Sequence, residues 1–379
     1  MTEKLYYRDA YIKDFTARVI SVEGTDSRYD VILDRTAFFP EEGGQSSDTG
    51  YIGTSRVFQV YEEDGVVHHL TDTAPTSEHV ECRLDFSDRF EKMQCHTAEH
   101  ILCGIIHKRF GLENVGFHLG DDEVTFDVNG ILTREELDLV EELANEVVFS
   151  NVGVSTAFPT KEELARLSYR SKLDLSDGVR IVTIDGCDAC ACCAPHVAKT
   201  GEIGLIKILD FMKHRGGLRI WMAAGRRALR DYRNKYENIK KISAILSTPQ
   251  PDTAKALERF RDETEELRAE LKAAKLRVAE LCAERVVKTS GNAVFLLDGF
   301  SVPELIAFSN IANQRVGGMT VALSGTEGDY KYVISTADGE LSAKIKEINS
   351  ALEGSGGGRG SMVQGRFKSP LEKIKDYFK

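Results

Sequence analysis

Over the first 85 residues, apolar and polar positions alternate with a period of two. Residues 17–22, 29–33, 57–61 and 65–70 each show the alternation, and Gly and Asp interrupt the runs. Successive strand side chains point to opposite faces, so the pattern predicts short, half-buried strands in a small barrel or meander. The period then lengthens. A helix is predicted from about residue 89 to 110, with Ile101, Leu102, Ile105 and Ile106 as its apolar side and Gly111 as its stop. Residues 115–120 and 124–128 read as a hairpin. Residues 133–149 read as an amphipathic helix, with Thr133 as N-cap and Glu136 completing a capping box. Residues 179–184, 205–209 and 218–222 are further predicted strands, with a turn at 200–204.

From residue 226 the spacing is helical again. Leu229, Tyr232, Tyr236, Ile239 and Leu246 recur at three and four, residues 247–252 break the helix, and a second helix follows. In it Leu257, Phe260, Thr264, Leu267, Leu271, Ala274, Val278 and Leu281 alternate three and four without a gap, the signature of a coiled-coil seam. An antiparallel hairpin of the two helices is the simplest topology, and a seam shared between two chains is the alternative. Beyond 288, strands at 293–297, 319–323 and 332–334 mix with helices near 303–314, 340–352 and 370–378. The glycine-rich run 354–361 lacks the spacing of a phosphate-binding or dinucleotide loop and reads as a flexible loop. The expectation is an α+β multidomain chain: a β-barrel over 1–88, an α/β domain over 89–225, a helical hairpin or coiled coil over 226–288 and an α/β domain over 289–379.

At 379 residues the chain is long enough for several cores, and no apolar run approaches the roughly 20 residues that span a bilayer. The first residues carry no signal-peptide pattern, so a cytoplasmic protein without a membrane partner is expected. A net charge of −11 speaks against a nucleic-acid partner, but residues 207–241 hold 11 bases against three acids. Phosphate contact depends on the local patch, so this strip is compatible with RNA, and a solvated helix face is the plainer alternative.

Four of the eight cysteines, Cys187, Cys190, Cys192 and Cys193, fall within seven residues, and His196 closes the run. In a reduced compartment such a cluster suits metal ligation better than disulfides. Upstream, His96 and His100 stand at i and i+4 on the predicted helix, where side chains project about 6 Å apart on one face. Together with Cys192 and His196 they form a candidate tetrahedral zinc site. Glu99 is a candidate general base, with a solvent-facing helix carboxylate as the alternative. His68 and His69, adjacent on a strand, are expected to be one buried and one exposed rather than ligands.

These pieces, in this order, resemble the alanyl-tRNA editing proteins, relatives of the editing half of alanyl-tRNA synthetase. Residues 36–45, with Asp48 and Gly50, look like that family's Phe/Tyr-Pro-x-Gly-Gly-Gln segment, and His96–His100 matches its His-x-x-x-His motif. Cys192–His196 matches its Cys-x-x-x-His motif, although Cys-Cys-Ala-Pro-His replaces the commoner Cys-Gly-Gly-Thr-His, and residues 197–204 continue it. Residues 356–365 look like the C-terminal DHHA1 domain of the long-form editors. The resemblance implies a zinc-bearing editing domain over 89–225 that hydrolyses mischarged alanine tRNA carrying serine or glycine. It also implies tRNA as partner, and a homodimer through the DHHA1 domain or the coiled coil. Gly43, Gly44, Gln45 and Thr97 become candidates for substrate contact. Lys213, Arg215, Arg226, Arg227, Arg230 and Arg359 become candidates for tRNA contact. Which of the clustered cysteines ligates stays open.

Alanine is smaller than serine, so a sieve cannot exclude it by size. A hydrogen bond to the serine hydroxyl must supply the preference. On the strand after the helix, His118 is the candidate for that bond. Two rival functions remain: His96-x-x-Glu99-His100 also fits an inverted zincin metallopeptidase, and a structural zinc in a non-catalytic tRNA-binding protein fits the ligand set.

Overall fold

The computed structural model describes residues 1–25, 28–171, 178–337 and 339–379. The chain divides into two compact units, Met1–Lys240 and Lys241–Lys379.

In the first unit, strands β1 (Glu3–Lys4) and β4 (Arg35–Thr36) pair in parallel. Strands β2 (Asp14–Thr25), β3 (Arg28–Leu33), β5 (Gly50–Ile52), β6 (Ser55–Glu63), β7 (Val66–Thr71) and β8 (His79–Leu84) close into a barrel in the order β2-β3-β7-β6-β5-β8. The alternating apolar side chains, Val31, Leu33, Val57, Val60, Val67, Val80 and Cys82 among them, fill its interior. His69 is buried, bonded to Thr36 Oγ1 and the Val31 carbonyl, while His68 is half-buried and held by Asp30.

Helix α1 (Phe86–Phe110) leaves the barrel and ends on Gly111, whose φ of 66° closes the last turn. It packs against β9 (Asn114–Leu119), helix α2 (Arg134–Phe149), β13 (Asp188–Ala191) and β15 (Gly217–Ala224). One apolar side was expected of this helix, yet residues 92–104 are buried all round. Every polar group on it therefore needs a partner. Arg89 grips Asp48 and the Ala37 carbonyl, and Lys92 Nζ donates to the Ser47 carbonyl at 2.7 Å and pairs with Asp88. Strand β10 (Val124–Val128) joins β9, β15 and β14 (Ile206–His214) in a four-stranded antiparallel sheet, ordered β14-β15-β10-β9. A second sheet is ordered β11-β12-β13, from β11 (Val154–Ala157) and β12 (Ile181–Ile184), with the short helix α3 (Lys161–Leu164) after β11. Helix α2 carries the expected capping box between Thr133 and Glu136. Helix α4 (Gly225–Ile245) follows β15.

The second unit begins within the last residues of α4 and continues with helix α5 (Thr253–Glu284). Its seam positions Leu257, Phe260, Leu267 and Leu271 are exposed, while Ala279 and Ala283 enter a core with helix α6 (Val302–Ala312). A five-stranded sheet is ordered β16-β17-β18-β20-β19: β16 (Ala293–Leu296), β17 (Met319–Thr326), β18 (Asp329–Thr336), β19 (Gly354–Arg359) and β20 (Met362–Phe367). Helices α7 (Ile345–Ala351) and α8 (Leu371–Tyr377) complete the unit. The glycine run is not the loop its composition suggests. It is edge strand β19, paired along its length with β20. A Cβ at Gly356 would lie 2.3 Å from the Gln364 carbonyl oxygen and 2.7 Å from the Tyr332 hydroxyl, so the glycines are what permit the close pairing.

No helix among the described residues is long and apolar enough to cross a membrane.

Candidate metal centre

One donor atom each from His96, His100, Cys192 and His196 lies within 4.8 Å of the others. The two segments meet because α1 packs on β13, after which residues 192–196 turn back over the helix. The turn is pinned at its root: Arg180 Nη1 donates to the Cys192 and Ala194 carbonyls at 2.9 and 2.8 Å, and the Cys192 N–H donates to the Arg180 carbonyl. The His96 and His196 Nε2 atoms lie 3.5 and 3.4 Å from Cys192 Sγ. With a metal bonded to nitrogen at about 2.05 Å and to sulfur at about 2.3 Å, the N···S edge of a tetrahedron comes to roughly 3.6 Å. The residues fit a zinc ion.

Two of the imidazoles are held from behind by a hydrogen bond at Nδ1, which sends the other nitrogen toward the cluster. His96 Nδ1 lies 2.8 Å from Gln45 Oε1, and His196 Nδ1 lies 3.0 Å from Thr97 Oγ1. His100 Nδ1 faces Asp188 Oδ2 at 3.5 Å. Such outer partners set ring orientation and ligand basicity. Asp188 is itself gripped by Arg170 through two bonds of 2.8 and 2.7 Å. Burial opposes the Asp188 charge, but Arg170 and His100 outweigh it and hold the carboxyl at about 2. Asp188 comes this close because residue 104 of α1 is glycine, where a Cβ would sit 2.8 Å from the Asp188 Cβ.

The cysteines differ in character. Burial would raise the Cys192 thiol, but the imidazoles of His96, His196 and His100 hold it well below the ordinary thiol range. Burial lifts Cys187 to about 11 and also raises Cys190 and Cys193. Only Cys192 joins the three histidines; Cys190 groups instead with His100 and Asp188.

A cavity of about 430 Å³ opens beside this cluster, within the range of small-ligand pockets. His96, His100, Glu99, Asn114, Gly43, Tyr7, Phe158, Arg170 and Arg180 are on its walls. Glu99 is not solvent-facing: it is buried, with Oε2 3.9 Å from His100 Nε2 and Oε1 accepting from Cys103 Sγ and from Asn114 Nδ2.

His118 does not reach the cavity. It is exposed on the opposite face of β9 from Phe117, whose ring packs on His96 with centroids 4.7 Å apart. The polar residue that does reach it is Asn114. Val128 pairs with Asn114 while Asp127 pairs with Gly116, so Val115 is bulged out and Asn114 takes the inward face. Gly44, Gln45 and Thr97, expected to touch substrate, stand behind the ligands instead. Gly44 (φ +85°) has only 2.2 Å between its would-be Cβ and the Phe117 carbonyl oxygen, and that contact seats Gln45 under His96.

The basic strip is divided. Lys213, Arg215 and Arg226 are exposed, whereas Arg227 is buried and donates to the Gly120 carbonyl, and Arg230 pairs with Glu91 at 2.9 Å. Arg359 is exposed on β19 of the second unit.

The family described as the threonyl and alanyl tRNA synthetase second additional domain matches residues 179–221, the stretch that contains Cys192 and His196. The alanyl-tRNA editing protein AlaX-L of Pyrococcus horikoshii is 28% identical, and the match covers 99% of this chain and 97% of that one. The chain is thus similar to an alanyl-tRNA editing protein along nearly the whole length of both. Alanine–tRNA ligases also match: that of Halobacterium salinarum at 32% identity over 89% of this chain, and that of Thermococcus kodakarensis at 34% over 98%. The chain spans only about two fifths of those ligases, 39% and 42% of their lengths. The crystal structure of the C-Ala domain of Aquifex aeolicus alanyl-tRNA synthetase aligns with 23% of the chain at 22% identity and a TM-score of 0.21.

Proposed function

We propose that this protein is a trans-acting hydrolase that removes serine, or glycine, from mischarged alanine tRNA. The observation that carries the reading is the meeting of three histidines and a cysteine, with His96, His100 and Cys192 lining one cavity together with a buried carboxylate and a buried amide. An aminoacyl ester is an activated bond, so a positioned water, a base and a polarised carbonyl suffice for its hydrolysis. His96, His100, Cys192 and His196 would hold zinc, which supplies Lewis acidity and lowers the pKa of a bound water when present. Glu99 takes the proton from the attacking water, and the short contact from Asn114 fixes the orientation of its carboxylate. Asn114 offers a carboxamide to the serine hydroxyl, a bond that alanine cannot make. The exposed Lys213, Arg215, Arg226 and Arg359 are the candidates for phosphate contact, and tRNA is the partner.

A second reading draws on the same geometry. Four protein donors complete a tetrahedron, as structural zinc sites do, whereas catalytic sites keep a position open. The protein would then bind tRNA without turnover. The deciding experiment incubates zinc-loaded protein with seryl-, glycyl- and alanyl-charged alanine tRNA and follows ester loss. Fast loss of the seryl or glycyl ester with alanyl spared supports the hydrolase. Binding without loss supports the structural site, and chelator-sensitive cleavage of casein supports the inverted zincin.

A further inference from the structure

The cavity wall away from the histidines is aromatic and cationic, and nothing in the hydrolytic chemistry above uses it. Tyr7, at the end of the 3₁₀ turn Leu5–Tyr7, packs on the Tyr6, Phe39 and Ala194 cluster, as Cys192 and Cys193 of the metal-ligand turn also do. Lys4 Nζ and the Arg180 guanidinium lie over its ring, 5.6 and 5.5 Å from the centroid. Phe158 meets Tyr7 edge-on, with centroids 5.4 Å apart at 73°, and keeps 54% of its surface exposed. Its position is not that of a loose loop side chain. Strand β11 ends one residue earlier, and Pro159 with the Thr160–Glu163 capping box directs the chain directly after it.

The charge on this wall has a direction. Arg180 is buried, and the groups acting on its charge are the Cys192 and Cys193 thiols and the Tyr7 and Tyr6 phenols. Arg170, also on the wall, is already matched by Asp188. An exposed aromatic face next to a cation of this kind suits a planar, weakly polar group attached to an anion, and a nucleotide has both parts.

We propose that Phe158 is the stacking surface for the terminal base of an RNA 3′ end, with Tyr7 positioning its ring and Arg180 facing the adjoining phosphate. The proposal rests on the hydrolase reading for the location of the ester and adds to it the site that holds the nucleotide. It makes Phe158 a binding residue with no part in bond breaking.

The test uses the full-length zinc-loaded chain and an uncharged alanine-tRNA minihelix with 2-aminopurine as its 3′-terminal base. Wild-type protein should quench the fluorescence on binding. Phe158→Ala should abolish the quench and weaken binding about tenfold, in line with the loss of one base–aromatic stack, while Phe158→Trp should retain both. A minihelix lacking its terminal nucleotide should bind wild type and Phe158→Ala equally. An unchanged quench in Phe158→Ala overturns the proposal, as does an equal loss of affinity for the truncated RNA, which would reveal a structural effect. Because the RNA carries no ester, the readout is independent of turnover. A quench without seryl ester loss removes the hydrolase reading alone, and ester loss without a quench removes this proposal alone.

Discussion

Gly44→Ala probes how the barrel loop organises the metal centre. The new Cβ would lie 2.2 Å from the Phe117 carbonyl oxygen and 3.0 Å from its carbon. Neither atom can swing aside, because Phe117 is paired with Phe126 in the sheet. The residue also sits at φ +85°, where a Cβ costs about 1–2 kcal/mol. The loop can relieve the clash by withdrawing, but it then loses the bonds Leu119 N–H to Gly44 carbonyl (2.7 Å) and Ser46 N–H to Leu119 carbonyl (3.1 Å). At about 1 kcal/mol for each bond, the combined destabilisation is about 3–4 kcal/mol. For a unit of this size that lowers Tm by about ten degrees. Withdrawal also carries Gln45 Oε1 off His96 Nδ1, and loss of an outer partner weakens metal binding about 10–100-fold. Calorimetry and zinc competition against a fluorescent chelator read both effects. Gly43→Ala is the control: its φ is +61° and its nearest neighbour, Cys193 Sγ, is 3.5 Å away, so it should show the conformational cost alone. If Gly44→Ala melts within about 2 °C of wild type and binds zinc as tightly, the loop does not organise the site.

Glu99→Gln should lower kcat for seryl ester hydrolysis about 10²–10⁴-fold while zinc content, measured by atomic absorption, stays at wild-type level. An unchanged kcat would exclude Glu99 as the base. Asn114→Ala should shrink the ratio of seryl to alanyl deacylation about tenfold, whereas His118→Ala, on the exposed face of β9, should leave that ratio where it is. The opposite pattern would return the recognition role to His118. Asp48→Ala removes the carboxylate from the fully buried Arg89 and should destabilise the first unit by about 3–5 kcal/mol, read from the denaturant midpoint.

Much of this was legible in the sequence because it depends on local spacing. The two-residue alternation of the barrel strands, the Gly111 stop and the Thr133–Glu136 box each follow from neighbours in the chain. The two i, i+4 pairs were legible for the same reason, and the structure brings one donor atom from each of the four residues within 4.8 Å of the others. What escaped depended on non-local geometry. Asn114 lies one residue before the strand as read from the sequence, 115–120, which left His118 as its polar candidate, and only the one-residue bulge turns Asn114 inward. The burial of Glu99 follows from α1 being surrounded on all sides, which its own mixed composition does not announce. Asp188 and Arg170 become partners only through an isolated bridge that sets Arg170 beside Cys190. The glycines of β19 looked like a linker because a stretch without side chains gives no periodicity to read.

The carboxamide behind His96 has a bearing on how far the protein can be dissected. All four ligands lie beyond Phe86, so a truncation starting there would retain every metal donor. It would discard Gln45, the Asp48 partner of Arg89 and the Ser47 carbonyl that accepts a hydrogen bond from Lys92. A fragment designed from the ligand motifs alone would leave Arg89 without its carboxylate, leave Lys92 with Asp88 as its remaining partner, and remove the bond that orients the His96 imidazole. Three contacts from residues 45–48 thus tie the barrel to the helix that carries His96 and His100.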